Sequence, residues 1–125
     1  MVLILGCGES GFGAALLAHK HGLPVFVSDQ TMIREEFKLK FIDLEIDFEE
    51  GGHEIAYDII PTLVIKSPGI PDSAKIIKYF VDRTIELISE IEFAYRYCKG
   101  KIIAITGSNG KTTTTNLCYH MLQSN

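Results

Sequence analysis

The sequence predicts an α/β chain: a doubly wound, mainly parallel sheet, followed by the first strand, loop and helix of a second domain. Three observations carry that prediction. Short apolar runs alternate with segments of helical character along residues 1–98, the pattern that successive βαβ units produce. A glycine-rich turn, Gly6-Cys7-Gly8-Glu9-Ser10-Gly11, follows the first apolar run. A second glycine-bounded turn, Gly107-Ser108-Asn109-Gly110, follows the last, with Lys111-Thr112 directly after it.

The elements follow in order. Val2–Leu5 is apolar and glycine-bounded, hence a buried strand. The turn after it matches G-x-G-x-x-G, and Ala14–Ala18 continue as a helix that Gly22 ends. In that fingerprint Gly6 permits the tight turn, Gly8 lets a diphosphate approach the backbone, and Gly11 lets helix pack on strand. The Glu9 and Ser10 amides then face the anion, an interaction worth about 0.3–1 kcal/mol at an exposed helix start. Val25–Asp29 supplies the next strand, and its terminal acid falls eighteen residues after Gly11. Dinucleotide-binding folds place a ribose ligand near that spacing. A glycine-rich turn with an incidental aspartate is the alternative reading.

Met32–Phe41 has apolar residues at positions 33, 37 and 41 among Lys and Glu, which suits a short surface helix. Leu44–Phe48 alternates with period two and reads as a half-buried or edge strand. Glu49 to His53 reads as a loop whose two acids form a solvated edge, with His53 a loop residue rather than a metal ligand. Leu63–Lys66 is another buried strand, leading into Ser67-Pro68-Gly69-Ile70-Pro71. The prolines stiffen this loop, and loops at the carboxyl ends of an open parallel sheet are where ligands bind. Asp72 and Ser73 are placed to cap a helix to about Phe80, with Ile76, Ile77 and Phe80 inward. Ile85–Ile88 is one more strand. Ser89 then caps a helix, with Glu92 at capping-box spacing and Ile91, Phe93 and Ala94 apolar.

Lys99-Gly100-Lys101 is the one obvious joint, dividing residues 1–98 from residues 99–125. Beyond it, Ile102–Ile105 reads as a buried strand, and Lys111 opens a helix through Met121. Strand, glycine loop, Lys-Thr and helix form the layout of a phosphate-binding loop. Its amides at Gly107, Ser108, Asn109, Gly110 and Thr113 cradle phosphate, Lys111 reaches the outer phosphates, and the Thr112 hydroxyl ligates Mg²⁺. Only Ser108 and Asn109 separate the glycines, where the common pattern has four residues. A plain turn at a helix start is the alternative, but Lys-Thr directly after the glycine argues for an ATP site.

Composition narrows the class. The chain has 125 residues, 46% hydrophobic and 22% charged, ordinary for a soluble globular domain. A net charge of −4 argues against broad nucleic-acid or membrane attraction. No apolar run reaches the ~20 residues of a membrane span. Met1–Leu5 lacks the basic start and length of a secretion signal. Three cysteines, an odd number without metal spacing, suit reduced thiols in the cytoplasm.

Two glycine loops in this order, with Ser67-Pro68-Gly69-Ile70-Pro71 between them and Ser89-Glu90-Ile91-Glu92-Phe93 before the joint, resemble the Mur ligase family. The shortened loop Thr106–Thr113 is similar to that family's form of the ATP motif. Within the family, Gly6–Gly11 with Ser67–Ile70 looks most like the branch that adds D-glutamate to UDP-N-acetylmuramoyl-L-alanine. The resemblance covers the whole chain, which would be the first quarter or so of such an enzyme. It implies a three-domain, ATP- and Mg²⁺-dependent cytoplasmic ligase of peptidoglycan synthesis, serving cell shape and division and acting through an acyl phosphate.

In such an enzyme the first domain is Rossmann-like but holds UDP rather than NAD. Gly8, Glu9, Ser10 and Gly11 would cradle the diphosphate, and Asp29 and Gln30 would lie near the uridine. Ser67, Pro68 and Gly69 would close over the nucleotide. Gly110 and Lys111 would hold the ATP phosphates, Lys111 acting catalytically by neutralising charge, with Thr112 on Mg²⁺. Remaining catalytic groups would lie beyond Asn125, so residues 1–125 alone should be inactive.

Two rivals come from other classes. An NAD-dependent dehydrogenase domain suits the fingerprint and Asp29 but leaves Gly-Lys-Thr-Thr without a use. A nucleotide sensor without enzymatic activity is the other. Residues 101–125 carry Leu117 and Leu122 to bury, so they are expected to pack on the first domain or on a second copy of the chain.

Overall fold

A computed structural model describes residues 1–123, so the last two residues of the 99–125 segment lie outside the described residues. The elements are β1 (Val2–Leu5), α1 (Glu9–Lys20), β2 (Val25–Asp29), α2 (Glu35–Asp43), β3 (Asp47–Glu50) and α3 (Glu54–Asp58). They continue with β4 (Leu63–Lys66), α4 (Lys75–Val81), β5 (Glu86–Ser89), α5 (Glu90–Tyr97) and α6 (Lys111–Gln123). Five strands form one sheet in the order β3-β2-β1-β4-β5, and every neighbouring pair is parallel. The predicted doubly wound parallel sheet is the architecture found.

Side chains alternate across each strand, so one apolar run serves two cores. Val2, Ile4, Val27, Ile65 and Ile88 face one layer, with Ala14, Ala15 and Ala18 of α1, Phe37 and Phe41 of α2, and Phe93 of α5. Leu3, Leu5, Phe26 and Val64 face the other, with Ala56 of α3 and Ile76, Ile77 and Phe80 of α4. The small residues of α1 let that helix lie close over β1, which carries the first glycine turn.

Three helices end in the same way. After α1, Gly22 (φ +70°) donates to the His19 carbonyl and Leu23 to Ala18. After α2, Glu45 (φ +54°) donates to Ile42 and Ile46 to Phe41; after α4, Thr84 (φ +55°) donates to Val81 and Ile85 to Phe80. This paired closure favours glycine at the left-handed position, and only α1 has one. A β-branched threonine there is strained. Thr84→Gly should therefore gain about 1 kcal/mol, seen as a higher urea midpoint with unchanged slope.

Several expectations are corrected. β3 begins at Asp47 and runs through Glu49 and Glu50, which are not a solvated edge. The Glu49 carboxylate accepts from the Ile55 and Ala56 amides at 2.8 and 2.7 Å, capping α3, a helix the sequence did not announce. Glu50 accepts from Ile33 N–H at 2.8 Å and pairs with Lys38 at 3.2 Å, and the Ile33 bond first, then Lys38, holds its carboxyl below the usual range. Neither Asp72 nor Ser73 caps α4: the N-cap is Ala74, and Asp72 pairs instead with Lys66 at 2.8 Å. Ser89 does cap α5, accepting from the Glu92 amide at 3.2 Å, while Ile91 stays exposed and Phe93 is buried.

Residues 102–105 form no strand, and Ile102 and Ile103 are exposed. A strand is defined by its pairing partner, and no described segment pairs with this one. α6 forms as expected from Lys111 but buries no residue, so packing of the tail on the first domain is not found. No described helix is long and apolar enough to cross a membrane.

Candidate functional site

The chain leaves β1 toward β2 and β3 on one side and returns to β4 and β5 on the other. β1 and β4 therefore flank the switch point, where loops diverge at the carboxyl ends of the strands and leave a crevice. A cavity of about 360 Å³ lies at these loops, lined by Gly6 and Gly8 after β1, Asp29 to Thr31 after β2, His53 after β3, and Ser67 to Ile76 in part after β4.

The first glycine loop is shaped by contacts that side chains would break. Gly6 has φ +92°, and a Cβ there would stand 2.7 Å from the Ser67 Cβ. A Cβ on Gly11 would stand 2.0 Å from the Gly6 carbonyl oxygen, so α1 can start only where this glycine lets it press on the turn. A Cβ built on Gly8 would meet nothing within 4 Å, and this residue lines the cavity. The first helical bond runs from Phe12 N–H to the Gly8 carbonyl at 2.9 Å. The Glu9, Ser10 and Gly11 amides precede it and have no intrahelical acceptor.

Asp29 clamps this loop. One carboxylate oxygen accepts from Cys7 N–H at 2.5 Å, and the other accepts from both the amide and hydroxyl of Thr31 at 2.7 Å. The acid expected to meet a ribose thus also ties the turn after β1 to the turn after β2. On the opposite wall, Ser67 N–H bonds the Leu5 carbonyl at 2.9 Å and Ile70 N–H bonds the Ser67 carbonyl at 3.1 Å. Lys66 donates to the Ile70 carbonyl at 2.8 Å, closing the Ser-Pro-Gly-Ile turn from beneath.

Of the predicted nucleotide contacts, Gly8, Asp29, Gln30, Ser67 and Gly69 meet around this one cavity. Glu9, Ser10, Gly11 and Pro68 are not among its lining residues. The Glu9 carboxylate pairs with Arg34 at 3.3 Å, and the Ser10 hydroxyl donates to buried Glu90 of α5 at 3.0 Å. What Glu9 and Ser10 can offer an anion is therefore backbone. Ile70 and Pro71, of the loop expected at the carboxyl ends of the strands, also line the cavity, as do Thr31, His53, Ala74 and Ile76; His53 is expected only as a loop residue and Ile76 only as an inward core residue. Thr31 had a signal, since an aspartate side chain accepts from the backbone amide two residues on in an Asx-type turn.

His53 belongs to a connected group. Ser28 is fully buried, and its hydroxyl stands 2.8 Å from Glu49 Oε1 and 2.5 Å from His53 Nδ1. Burial lowers the His53 pKa from 6.5 against the opposing pull of Glu49 and Asp29, so the ring is neutral at pH 7.

Cys7, inside the glycine loop, is buried, and burial first, then the Asp29 charge, pushes its thiol up to about 12. All three cysteines are free. The thiolate is the reacting form, so Ellman's reagent at pH 8 should titrate Cys98 and Cys118 in the native chain and Cys7 only after denaturation. Rapid labelling of three thiols in the native state would contradict this geometry.

The second loop turns at its two glycines. Gly107 and Gly110 have φ of +152° and +76°, and Lys111 Nζ reaches back to the Gly107 carbonyl at 2.5 Å. The first bond of α6 is Thr114 N–H to Gly110 at 2.9 Å, so the Lys111, Thr112 and Thr113 amides precede the helical ladder. These three amides are left without an intrahelical acceptor, and Thr112 is exposed. No group of three or more His, Cys, Asp and Glu residues that could hold a metal occurs among the described residues.

The MurD N-terminal domain family matches residues 2–76. The UDP-N-acetylmuramoylalanine–D-glutamate ligase of Cytophaga hutchinsonii is 52% identical over 123 residues, which is 97% of this chain and 27% of that protein. The enzyme of the same name from Porphyromonas gingivalis is 51% identical, over 97% of this chain and 27% of that protein. Among solved structures, a murein peptide ligase from Psychrobacter arcticus superposes with a TM-score of 0.73 at 29% identity, covering 98% of this chain and 26% of that one. A UDP-N-acetylmuramate–alanine ligase from Thermotoga maritima gives 0.67 at 26% identity, covering 98% of this chain and 29% of that one. The chain thus spans about a quarter of the length of the relatives it matches.

Proposed function

Since the chain belongs to the MurD N-terminal domain family, we propose that it supplies the uridine-nucleotide-binding part of an ATP-dependent amide-bond ligase of peptidoglycan synthesis. In this reading residues 1–98 hold the UDP moiety of UDP-N-acetylmuramoyl-L-alanine, and residues 99–125 open the ATP-binding domain. The relatives' names support D-glutamate as the amino acid joined to that substrate. The observation that carries the reading is the single cavity shared by Gly8, Asp29, Gln30, Ser67 and Gly69 at the switch point.

The residues divide the work by chemistry. Open backbone at Gly8 and the leading amides of α1 offer donors to a diphosphate at a helix start. Asp29 and Gln30 stand where ribose and base follow, and the turn from Ser67 to Gly69 closes over them. Lys111 and the amides of Gly107 to Thr113 would hold the phosphates of ATP, and Thr112 would ligate Mg²⁺. ATP, when bound, supplies the phosphoryl group that activates the substrate carboxylate for attack by the glutamate amine. The exposed Leu117, Tyr119, Met121 and Leu122 of α6 are then apolar side chains to be covered, by further chain or a second copy.

Titration calorimetry on the 125-residue chain tests the reading. UDP-N-acetylmuramoyl-L-alanine should bind and NADH should not; NADH binding without the sugar nucleotide would replace this reading with a dehydrogenase-like one.

A further inference from the structure

The hydrogen-bond group beneath the cavity fixes a tautomer. Glu49 is already an acceptor for two amides of α3, and as a carboxylate it has no proton to give. The Gly52 carbonyl, 3.4 Å from the same hydroxyl, has no proton to give either, so the single Ser28 proton goes to these acceptors, chiefly Glu49 Oε1 at 2.8 Å, and the Ser28 oxygen is left to accept. Its short contact with His53 Nδ1 then requires that nitrogen to carry the ring proton. His53 Nε2 is left with a lone pair and no protein partner. No buried side-chain nitrogen or oxygen among the described residues lacks a hydrogen bond, so Nε2 is reachable by solvent.

Where it stands decides what it meets. His53 lines the cavity at the switch point and another of about 350 Å³, and the two share Gln30, His53, Ala74 and Ile76. Gly6 and Gly8, the diphosphate end, line only the first. A nucleotide anchored at Gly8 has room to extend its base toward His53, past Ala74 and Ile76, which line both cavities.

Resting on the uridine reading above, we propose that His53 is a specificity residue for the base, its Nε2 accepting from the imide N3–H of uracil. Cytosine presents a lone pair at the same ring position and is rejected. The relay from Glu49 through Ser28 to Nδ1 is the device that keeps His53 an acceptor on its cavity side.

The test is calorimetry of the 125-residue chain with UDP and with CDP. Wild type should prefer UDP by about tenfold or more, the scale of one hydrogen bond whose loss leaves a polar group unpaired. In His53→Ala, UDP affinity should fall about tenfold with CDP little changed, so the preference collapses. His53→Gln, whose side-chain oxygen can accept from the same imide, should recover part of it. Ser28→Ala leaves the imidazole in place but frees its tautomer, and should reduce the preference without abolishing binding. Equal losses for UDP and CDP in His53→Ala, or an unchanged ratio in Ser28→Ala, would overturn the assignment while leaving the uridine site intact. Failure of the wild-type chain to bind UDP would overturn the site reading itself, and this inference with it.

Discussion

Alanine at Gly11 should cost the chain most of its stability, whereas alanine at Gly13, on the same helix, should increase it. The Cβ at Gly11 would stand 2.0 Å from the Gly6 carbonyl oxygen, which is backbone and cannot rotate away. Relief requires lifting α1 off the end of β1, which breaks the layer that Ala14, Ala15 and Ala18 form with Ile4 and Ile65. Overpacking of this kind costs about 3 kcal/mol or more, a fall in melting temperature of at least about 10 °C. A Cβ at Gly13 would meet nothing within 4 Å beyond its own helix, and a helix-interior glycine replaced by alanine gains about 0.5–1 kcal/mol. Thermal melts of the two variants decide it. Equal small shifts would mean that the helix does not press on the turn.

Asp29→Asn should lower both stability and nucleotide affinity despite its near-identical shape. Both carboxylate oxygens accept hydrogen bonds, from Cys7 N–H on one side and from the Thr31 amide and hydroxyl on the other. An asparagine has one oxygen and one NH₂, so one side must set donor against donor. Losing a charge-assisted bond and leaving an amide unpaired costs about 2 kcal/mol. Because Cys7 sits between Gly6 and Gly8, loosening it also disorders the backbone proposed to face the diphosphate. Urea unfolding gives the first effect and UDP titration the second. A variant with normal stability and weakened binding would make Asp29 a ligand only, not a clamp.

How far the sequence could be read depended on whether an element's cause was local. β1, β2 and β4 are buried on both faces, so their apolar runs were sufficient. β3 was displaced toward Leu44 because Glu49 and Glu50 look solvated, and only the folded chain brings the Ile33, Ile55 and Ala56 amides to them. α3 went unseen for the same reason: five residues long, it is capped from a neighbouring strand. Residues 102–105 have strand composition and no partner, and pairing is not a property of composition. The site divided along the same line. The glycine spacing pointed to Gly8 and Asp29, whereas His53, Ala74 and Ile76 reach the cavity only through how β3 and β4 cross to their helices.

Amide chemical-shift mapping of the 125-residue chain during a UDP titration tests most directly whether the N-terminal glycine turn is the sugar-nucleotide cradle. Shifts should concentrate at Gly8 to Ser10, Asp29 to Thr31, His53 and Ser67 to Gly69. Perturbation confined to Gly107 to Thr113, or spread without focus over the surface, would contradict the account.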